Sequence, residues 1–259
     1  MEHTGLRLRL LGPVELLGAK GTVPLGTPKQ RCLLAALALA PGKPVPMDTL
    51  VTRLWGESAP VNARSIVYTY VSRLRHPLRQ AGGGAVIQRG ADGYRLDIPA
   101  YTIDLHQMRR LGDLARRSTS PETAARLLGE AEALWWGPPL TGLRGPWADS
   151  VRQGLRRERR ELRRERFAIE VRRGRHEEVI RPLSGAVADN PLDGPLVGLL
   201  MLALYRSGSQ VDALELHRRT YERYRDDLGM NLDSALQRLH RLILTQDQVL
   251  ERREFLPHE

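Results

Sequence analysis

Residues 62–80, NARSIVYTYVSRLRHPLRQ, combine apolar, basic and hydroxyl side chains and contain no carboxylate. At about 100° per residue on an α-helix, the apolar side chains fall in one sector, which holds Val67, Tyr70, Val71, Leu74 and Leu78. A second sector of similar width carries Arg64, Ser65, Tyr68, Ser72, Arg75 and Arg79, with Arg73 and His76 at its flank. The pattern predicts a helix that buries one face and presents a basic face outward.

That basic face has the chemistry of a DNA-recognition helix. A guanidinium group donates paired hydrogen bonds to guanine, and hydroxyl groups contact bases or phosphates. Solvated helix faces usually alternate acids with bases, as RRERRELRRER at residues 156–166 does. Residues 62–80 lack those acids, so we interpret the face as one that enters the major groove of DNA. A solvated face that happens to be basic is the alternative.

Three further cations suit the same partner. Arg89 stands beside Gly90 in a predicted hairpin, where it could enter the adjacent minor groove. An exposed turn arginine is the alternative interpretation there. Lys29 and Arg31 lie in the first turn of a predicted helix at residues 28–40, where backbone N–H groups also favour phosphate.

The overall charge supports a polyanionic partner. The 259 residues carry a formal net charge of +10. Residues 1–100 hold thirteen Lys and Arg against six Asp and Glu, whereas the remaining residues hold 27 against 24. No acid occurs between Glu57 and Asp92. A basic segment followed by a balanced one predicts two parts with different roles.

The first hundred residues contain the elements that would position the basic face. We expect two or three short strands, three helices and a terminal hairpin, in the segments LRLRLLGPVELLG with TVPLG, TPKQRCLLAALALA, MDTLVTRLWG, the basic segment above, and AVIQRGADGYRLDIP. This order predicts a winged helix-turn-helix domain. We place it at residues 1–100, with the boundary inside residues 97–103.

Residues 101–259 have long helical periodicity and predict no further strands. RRGRHEEVIRPL aligns with RSGSQVDALELH at an offset of 34 residues, the tetratricopeptide period. TSPETAARLLGEAEALWW resembles an earlier, degenerate copy. The expected fold is therefore mainly α with a small β component: a winged helix-turn-helix followed by an all-α, tetratricopeptide-like repeat domain.

The cysteine and the apolar runs indicate a compartment. The single cysteine, Cys32, lies in an apolar run and is expected to be buried, without a disulfide. No run is long enough to span a bilayer, and the N-terminus lacks the shape of a signal peptide. We expect a soluble, cytoplasmic protein associated with the nucleoid.

Several segments resemble one bacterial family. LLGPVEL, LGTPKQRCLLAALAL, MDTLVTRLWG, YTYVSRLR and GYRL are similar to the OmpR-type winged helix of the Streptomyces antibiotic regulatory protein (SARP) family. EALWWGPPL, LMLALYRSGSQVDAL and DDLG with LQRLHRLIL resemble that family's bacterial transcriptional activation domain. The resemblance spans essentially the whole chain.

The resemblance implies a transcriptional activator of secondary-metabolite clusters. It implies partners: double-stranded promoter DNA with direct repeats near the −35 region, a second protomer side by side, and RNA polymerase with its sigma factor. The implied DNA contacts are Arg64, Tyr68, Thr69, Ser72, Arg73 and Arg75 on the recognition helix, Arg89 and Tyr94 on the wing, and Lys29, Arg31 and Trp55 toward phosphates.

The chain departs from the family pattern at three places. SIVY puts Tyr68 where an amide is common, so the base preference is expected to differ. Pro77 lacks an N–H donor and is expected to bend or end the recognition helix, which puts the groove contact of Arg79 in doubt. GMNLDSAL lacks the usual prolines of the corresponding turn.

Other functions have weaker support in the sequence. There is no P-loop pattern and no metal-ligand spacing among the seven histidines, so we expect no cofactor, no metal and no catalysis. His106, His176, His217 and His240 are expected to pack or face solvent, and Trp135 with Trp136 to anchor a core. Two alternatives stay open: an adaptor that gathers protein partners and binds nucleic acid non-specifically, and a helical domain that senses a small molecule.

Overall fold

The computed structural model describes residues 5–82 and 84–258. The chain forms two compact units. The first unit combines the residues up to Asp113 with Glu130–Arg159, and the second combines Leu114–Gly129 with the residues from Arg160 onward. The predicted domain boundary between residues 100 and 101 stays a prediction.

The described residues are mainly helical, which confirms the expected fold class. The described residues contain six strands: β1 Arg7–Arg9, β2 Glu15–Gly18, β3 Gly21–Val23, β4 Val45–Pro46, β5 Val86–Arg89 and β6 Gly93–Asp97. Within residues 5–82 and 84–258 there are ten α-helices: α1 Pro28–Ala38, α2 Met47–Trp55, α3 Ala63–Ala81, α4 Asp104–Arg116, α5 Pro121–Ala133, α6 Pro146–Arg172, α7 His176–Asp189, α8 Gly194–Arg206, α9 Gln210–Leu228 and α10 Ser234–Leu244. None of the described helices is long and apolar enough to cross a membrane.

Strands β1, β2 and β3 are the short strands expected in this segment, and they form an antiparallel sheet in chain order. Leu8 pairs with Leu16, and Leu16 pairs with Val23. All three side chains are buried, so one face of the sheet covers apolar groups. Helix α1 follows: Thr27 and Gln30 form a reciprocal capping box at its start, and Cys32 is buried as expected.

A second sheet forms the wing, in the order β4–β6–β5. The hairpin of β5 and β6 was predicted, whereas β4 was not, since two residues carry no periodic pattern. Strand β4 pairs with the start of β6, where Pro46 lies opposite Gly93. A Cβ atom on Gly93 would lie 1.9 Å from the carbonyl oxygen of Val45, so only glycine permits this pairing.

Helix α3 buries the predicted stripe. Val67, Val71, Leu74 and Leu78 are at most 1% exposed, and the helix packs against α1, α2, β2 and β5. Tyr70, the fifth residue of the predicted stripe, is only half-buried. Pro77 was expected to bend or end the helix. It does not end the helix, because α3 continues to Ala81, and the bend stays a prediction.

Packing of the last turn of α3 offsets the hydrogen bond that Pro77 cannot donate. Pro77, Leu78 and Ala81 are all buried. A Cβ atom on Gly18 of β2 would lie 2.9 Å from Cα of Ala81, so this turn lies directly against the first sheet. Apolar contact therefore keeps the helix intact through residue 81.

A buried carboxylate ties the first sheet to the start of α4. Asp104 accepts hydrogen bonds from the backbone N–H groups of Leu10, Leu11 and Leu105 at 2.7–3.0 Å. Burial raises the pKa of Asp104 to about 6, although these bonds oppose the shift. Three backbone donors in the core of the first unit thus depend on one side chain.

In the second unit, the 34-residue repeat is confirmed in the turns. Gly174 and Gly208 both have φ of +80°, a conformation that favours glycine. The N–H of Arg175 donates to the Glu170 carbonyl, and the N–H of Ser209 donates to the Leu204 carbonyl. These bonds are the same pattern displaced by 34 residues. The turns precede α7 and α9, so α7–α8 and α9–α10 are successive helical hairpins.

The second unit has its own core around α8. Helix α8 packs against α7, α9 and α10, and its residues 196–203 are buried on every side. Such a helix needs neighbours on every face. Between α9 and α10, the rings of His217 and His240 stack with centroids 3.9 Å apart. Burial, together with His240, lowers the pKa of His217 to about 4.

Replacing Asp104 with asparagine should destabilise the first unit. Asparagine offers one acceptor oxygen and brings an amino group toward backbone donors, so the free energy of unfolding should fall by about 1–3 kcal/mol. Urea denaturation measures this loss. The exposed Asp97→Asn is the matched control and should change the value by less than about 0.5 kcal/mol. Equal stability of Asp104→Asn and wild type would contradict a stabilising role for the hydrogen bonds that Asp104 accepts.

The histidine pair should make the second unit less stable in mild acid. The unfolded chain takes up a proton at His217 as pH falls through about 6.5, whereas the folded chain does so only near pH 4. The free energy of unfolding should therefore fall between pH 7 and pH 5. His217→Phe keeps a stacked ring that cannot titrate, so its loss over this range should be smaller, by on the order of 1 kcal/mol. Urea denaturation of wild type and His217→Phe at pH 7 and pH 5 measures both losses of unfolding free energy. Identical losses in the two proteins would contradict the lowered pKa of His217.

Candidate nucleic-acid interface

The outer face of α3 carries five of the predicted contact residues. The side chains of Arg64, Tyr68, Thr69, Ser72 and Arg73 are all exposed. They are exposed because the opposite face of the same helix is buried in the core of the winged helix. The structure thus brings two guanidinium groups and three hydroxyl groups onto one outward surface, which we call the α3 outer face.

A carboxylate reaches this face from another helix. Asp48, in the first turn of α2, lies 2.6 Å from the guanidinium of Arg64. The expectation that this face lacks carboxylates is therefore wrong for the folded protein, although residues 62–80 themselves contain none. The acid-free stretch between Glu57 and Asp92 gains a carboxylate through folding, because α2 and α3 pack together. No local pattern could have identified Asp48.

The wing meets the α3 outer face through aromatic and cationic side chains. The ring of Tyr68 lies edge-on to that of Tyr94, with centroids 6.4 Å apart. The guanidinium of Arg89 lies 5.7 Å from the centroid of Tyr68. Arg89 is exposed, whereas Tyr94 is only 5% exposed. Tyr94 therefore supports Tyr68 from beneath, and little of its surface is open to a ligand.

Arg75 is held by the wing. Its Nε and Nη2 atoms both donate to the carbonyl oxygen of Ile87 in β5, at 3.1 and 2.9 Å. The side chain is half-buried. The base contact assigned to Arg75 stays a prediction, but the geometry gives this side chain a supporting role between α3 and the wing.

The residues assigned to phosphate lie where α1 meets the end of α2. Lys29 donates to the carbonyl oxygen of Leu54 and lies 5.6 Å from the ring centroid of Trp55, which stacks on Tyr70. A cation at a helix C-terminus is favourable. Arg31 is half-buried, and its Nε is buried without a hydrogen-bond partner. All three predicted side chains are thus partly committed to packing.

The residues considered for other chemistry lie in structural settings. Burial raises the pKa of the Cys32 thiol to about 11, so little thiolate is present at neutral pH. Trp135 is buried and donates to the sulfur of Met108, whereas Trp136 is partly exposed under Arg9. The four helical histidines are half-buried. Among residues 5–82 and 84–258, no three His, Cys, Asp or Glu side chains could together hold a metal ion.

The fold and the α3 outer face define a class: a winged-helix protein that carries helical repeats in the same chain. Two family models match the two parts. Residues 21–96 match the family described as transcriptional regulatory protein, C terminal. Residues 103–244 match the bacterial transcriptional activator domain.

Individual relatives agree with these matches. Regulatory protein AfsR of Streptomyces coelicolor is 38% identical over 259 residues, covering 96% of this chain and 25% of AfsR. Transcriptional regulator RedD of the same species is 31% identical, covering 95% of this chain and 72% of RedD. The structure of Mycobacterium tuberculosis EmbR in complex with a low-affinity phosphopeptide aligns with a TM-score of 0.89 and 33% identity, covering 96% of this chain and 68% of that chain.

The chain belongs to the SARP family of bacterial transcriptional regulators. The family resemblance drawn from the sequence is thereby confirmed. The chain spans about a quarter of the length of AfsR.

The two hydrogen bonds from Arg75 to the Ile87 carbonyl, which brace the wing against α3, should stabilise the winged helix. Arg75→Ala removes two hydrogen bonds to the Ile87 carbonyl, so the free energy of unfolding should fall by about 1–2 kcal/mol. Arg73→Ala is the control, because it removes an exposed arginine from the same helix two residues earlier. Its free energy of unfolding should lie within about 0.5 kcal/mol of the wild-type value. Equal effects of the two substitutions in urea denaturation would show that the brace contributes nothing.

Proposed function

We propose that this protein is a sequence-specific, DNA-binding transcriptional activator whose helix α3 enters the major groove of promoter DNA. The observation that carries the proposal is the α3 outer face, where Arg64, Tyr68, Thr69, Ser72 and Arg73 are exposed together. The guanidinium groups suit guanine edges, and the hydroxyl groups suit bases and phosphates. A helix of this width fits the major groove of B-DNA.

The wing and α1 supply contacts on either side of α3. Arg89, exposed at the end of β5, reaches the adjacent minor groove, where a narrow groove strengthens the attraction for arginine. Lys29, Arg31 and Trp55 approach the phosphate backbone. Lys29 gives one N–H to the Leu54 carbonyl, so two N–H groups of its ammonium remain for phosphate. Arg75 keeps the wing beside α3 and acts on DNA mainly through that placement.

Family membership supports the larger assembly. Two protomers bind side by side on direct repeats near the −35 region, about 10–11 base pairs apart, so that successive α3 helices lie on the same side of the duplex. The helical unit contacts the adjacent protomer, RNA polymerase and its sigma factor. The regulated genes form a secondary-metabolite cluster, and the protein acts in the cytoplasm, on the nucleoid.

Selection of fragments from the source genome by the purified full-length chain tests this proposal. Wild type should enrich a direct repeat upstream of a biosynthetic cluster, with an affinity that falls steeply as salt rises. Arg73→Ala should weaken binding to that repeat by about 5- to 100-fold if Arg73 contacts a base. Arg181→Ala removes an exposed arginine from α7 in the second unit and should bind as wild type does.

The outcomes separate the proposal from the adaptor alternative. A uniform loss on all sequences for Arg73→Ala would reduce its role to a phosphate contact and leave the DNA-binding function intact. If wild type enriches no sequence over random fragments at moderate salt, sequence-specific activation is wrong. Capture of protein partners by the same full-length chain would then favour the adaptor.

A further inference from the structure

We propose that Asp48 is a specificity-determining residue that, together with Arg64, reads a single G·C base pair. This inference rests on the proposed DNA-binding function. It concerns a residue outside α3, brought to the α3 outer face by the packing of α2 against α3. Guanine accepts hydrogen bonds at O6 and N7 from arginine, and the N4 amino group of cytosine donates to a carboxylate. One arginine with one adjacent carboxylate therefore matches both bases of the pair.

The geometry fits a functional pair better than a stabilising one. The Arg64 Nη2 atom lies 2.6 Å from Asp48 Oδ1, while the two side chains are 65% and 78% exposed. Exposed ion pairs of this kind contribute little to stability. The bond does, however, hold one end of the guanidinium near Asp48 and leave its other N–H groups to donate. Arg64 is thereby oriented before DNA arrives.

The surroundings of the pair indicate where the base edge would lie. Asp48 and Arg64 line a cleft of about 350 Å³ between α3 and the wing. Its other polar lining includes Tyr68, Arg89 and Asp92. The Asp92 carboxylate has no hydrogen-bond or ion-pair partner among the described residues, whereas that of Asp48 is bonded to Arg64. Both acids therefore line the same cleft, but only Asp48 is hydrogen-bonded to Arg64.

A carboxylate on a DNA-binding face has two opposite effects. Its negative charge repels phosphates and lowers affinity for every sequence. Its contact with Arg64 restricts the arginine to one orientation and penalises base pairs that lack a matching donor, which raises selectivity. A residue that only stabilised the fold would not separate these effects. Removing Asp48 should strengthen binding to unrelated DNA and weaken discrimination at one position.

The test uses the full-length chain and duplexes selected from a random library. Kd is measured for the selected duplex and for every single base-pair substitution in it. The base pair at which Arg64→Ala loses discrimination identifies the Arg64 position. At that G·C pair, Asp48→Ala should discriminate about tenfold less than wild type. Its Kd for an unrelated duplex should fall by about two- to fivefold at low salt.

Asp92→Ala is the matched control, because it removes the same charge from the same cleft without touching Arg64. It should strengthen non-specific binding and keep wild-type discrimination. In the Arg64→Ala background, Asp48→Ala should cause a smaller loss of discrimination than it does in the wild type, since the part that depends on the pair is already gone. Asp48→Asn, which keeps an acceptor oxygen but loses the charge, should fall between wild type and Asp48→Ala.

The outcomes distinguish this inference from the function on which it rests. If wild type selects a sequence and Asp48→Ala discriminates as Asp92→Ala does, the role of Asp48 is wrong and DNA recognition stands. If both Asp48 variants lose discrimination equally at all positions and unfold at lower temperature, Asp48 is structural and the inference is also wrong. If wild type selects no sequence, the proposed function is wrong, and this inference is wrong as well because it rests on that function.

Discussion

Burial of one face of α3 is the constraint on which the winged helix depends. Val67, Val71, Leu74 and Leu78 lie in the core, where α3 packs against α1, α2, β2 and β5. Because the helical repeat fixes the angle between residues, burying this stripe determines which side chains point outward. The same packing maintains the helix past Pro77, where a backbone hydrogen bond is missing. Core formation and the presentation of the α3 outer face are therefore one physical event.

The outer surface of the winged helix is organised by contacts rather than by charge alone. Arg75 braces the wing through Ile87, and Lys29 caps the end of α2. Arg64 is held by Asp48, and Arg89 lies over Tyr68. Most cations of this surface thus have a defined position before any ligand is bound. Such preorganisation reduces the ordering that binding must impose, which favours selectivity over simple attraction to phosphate.

The second unit is stabilised differently, because each helical hairpin packs against and covers the next. Helix α8 is apolar on all sides and is buried by α7, α9 and α10. The left-handed glycines Gly174 and Gly208 end one helix and start the next turn at equivalent positions. Repetition of one local structure therefore joins successive helical hairpins through nearest-neighbour contacts. In this chain, these helical hairpins accompany a winged helix.

The sequence by itself determined the fold class, the three helices and hairpin of the winged helix, the buried stripe of α3 and the 34-residue repeat. These features are local or periodic, so helix caps, turn glycines and apolar spacing encode them directly. Only the tertiary structure decided the partners of the functional side chains: Asp48 for Arg64, Ile87 for Arg75 and Tyr94 for Tyr68. It also decided the two-residue strand β4 and the continuation of α3 beyond Pro77. These depend on packing between segments distant in sequence, and no periodicity within a segment records which distant group will lie beside it.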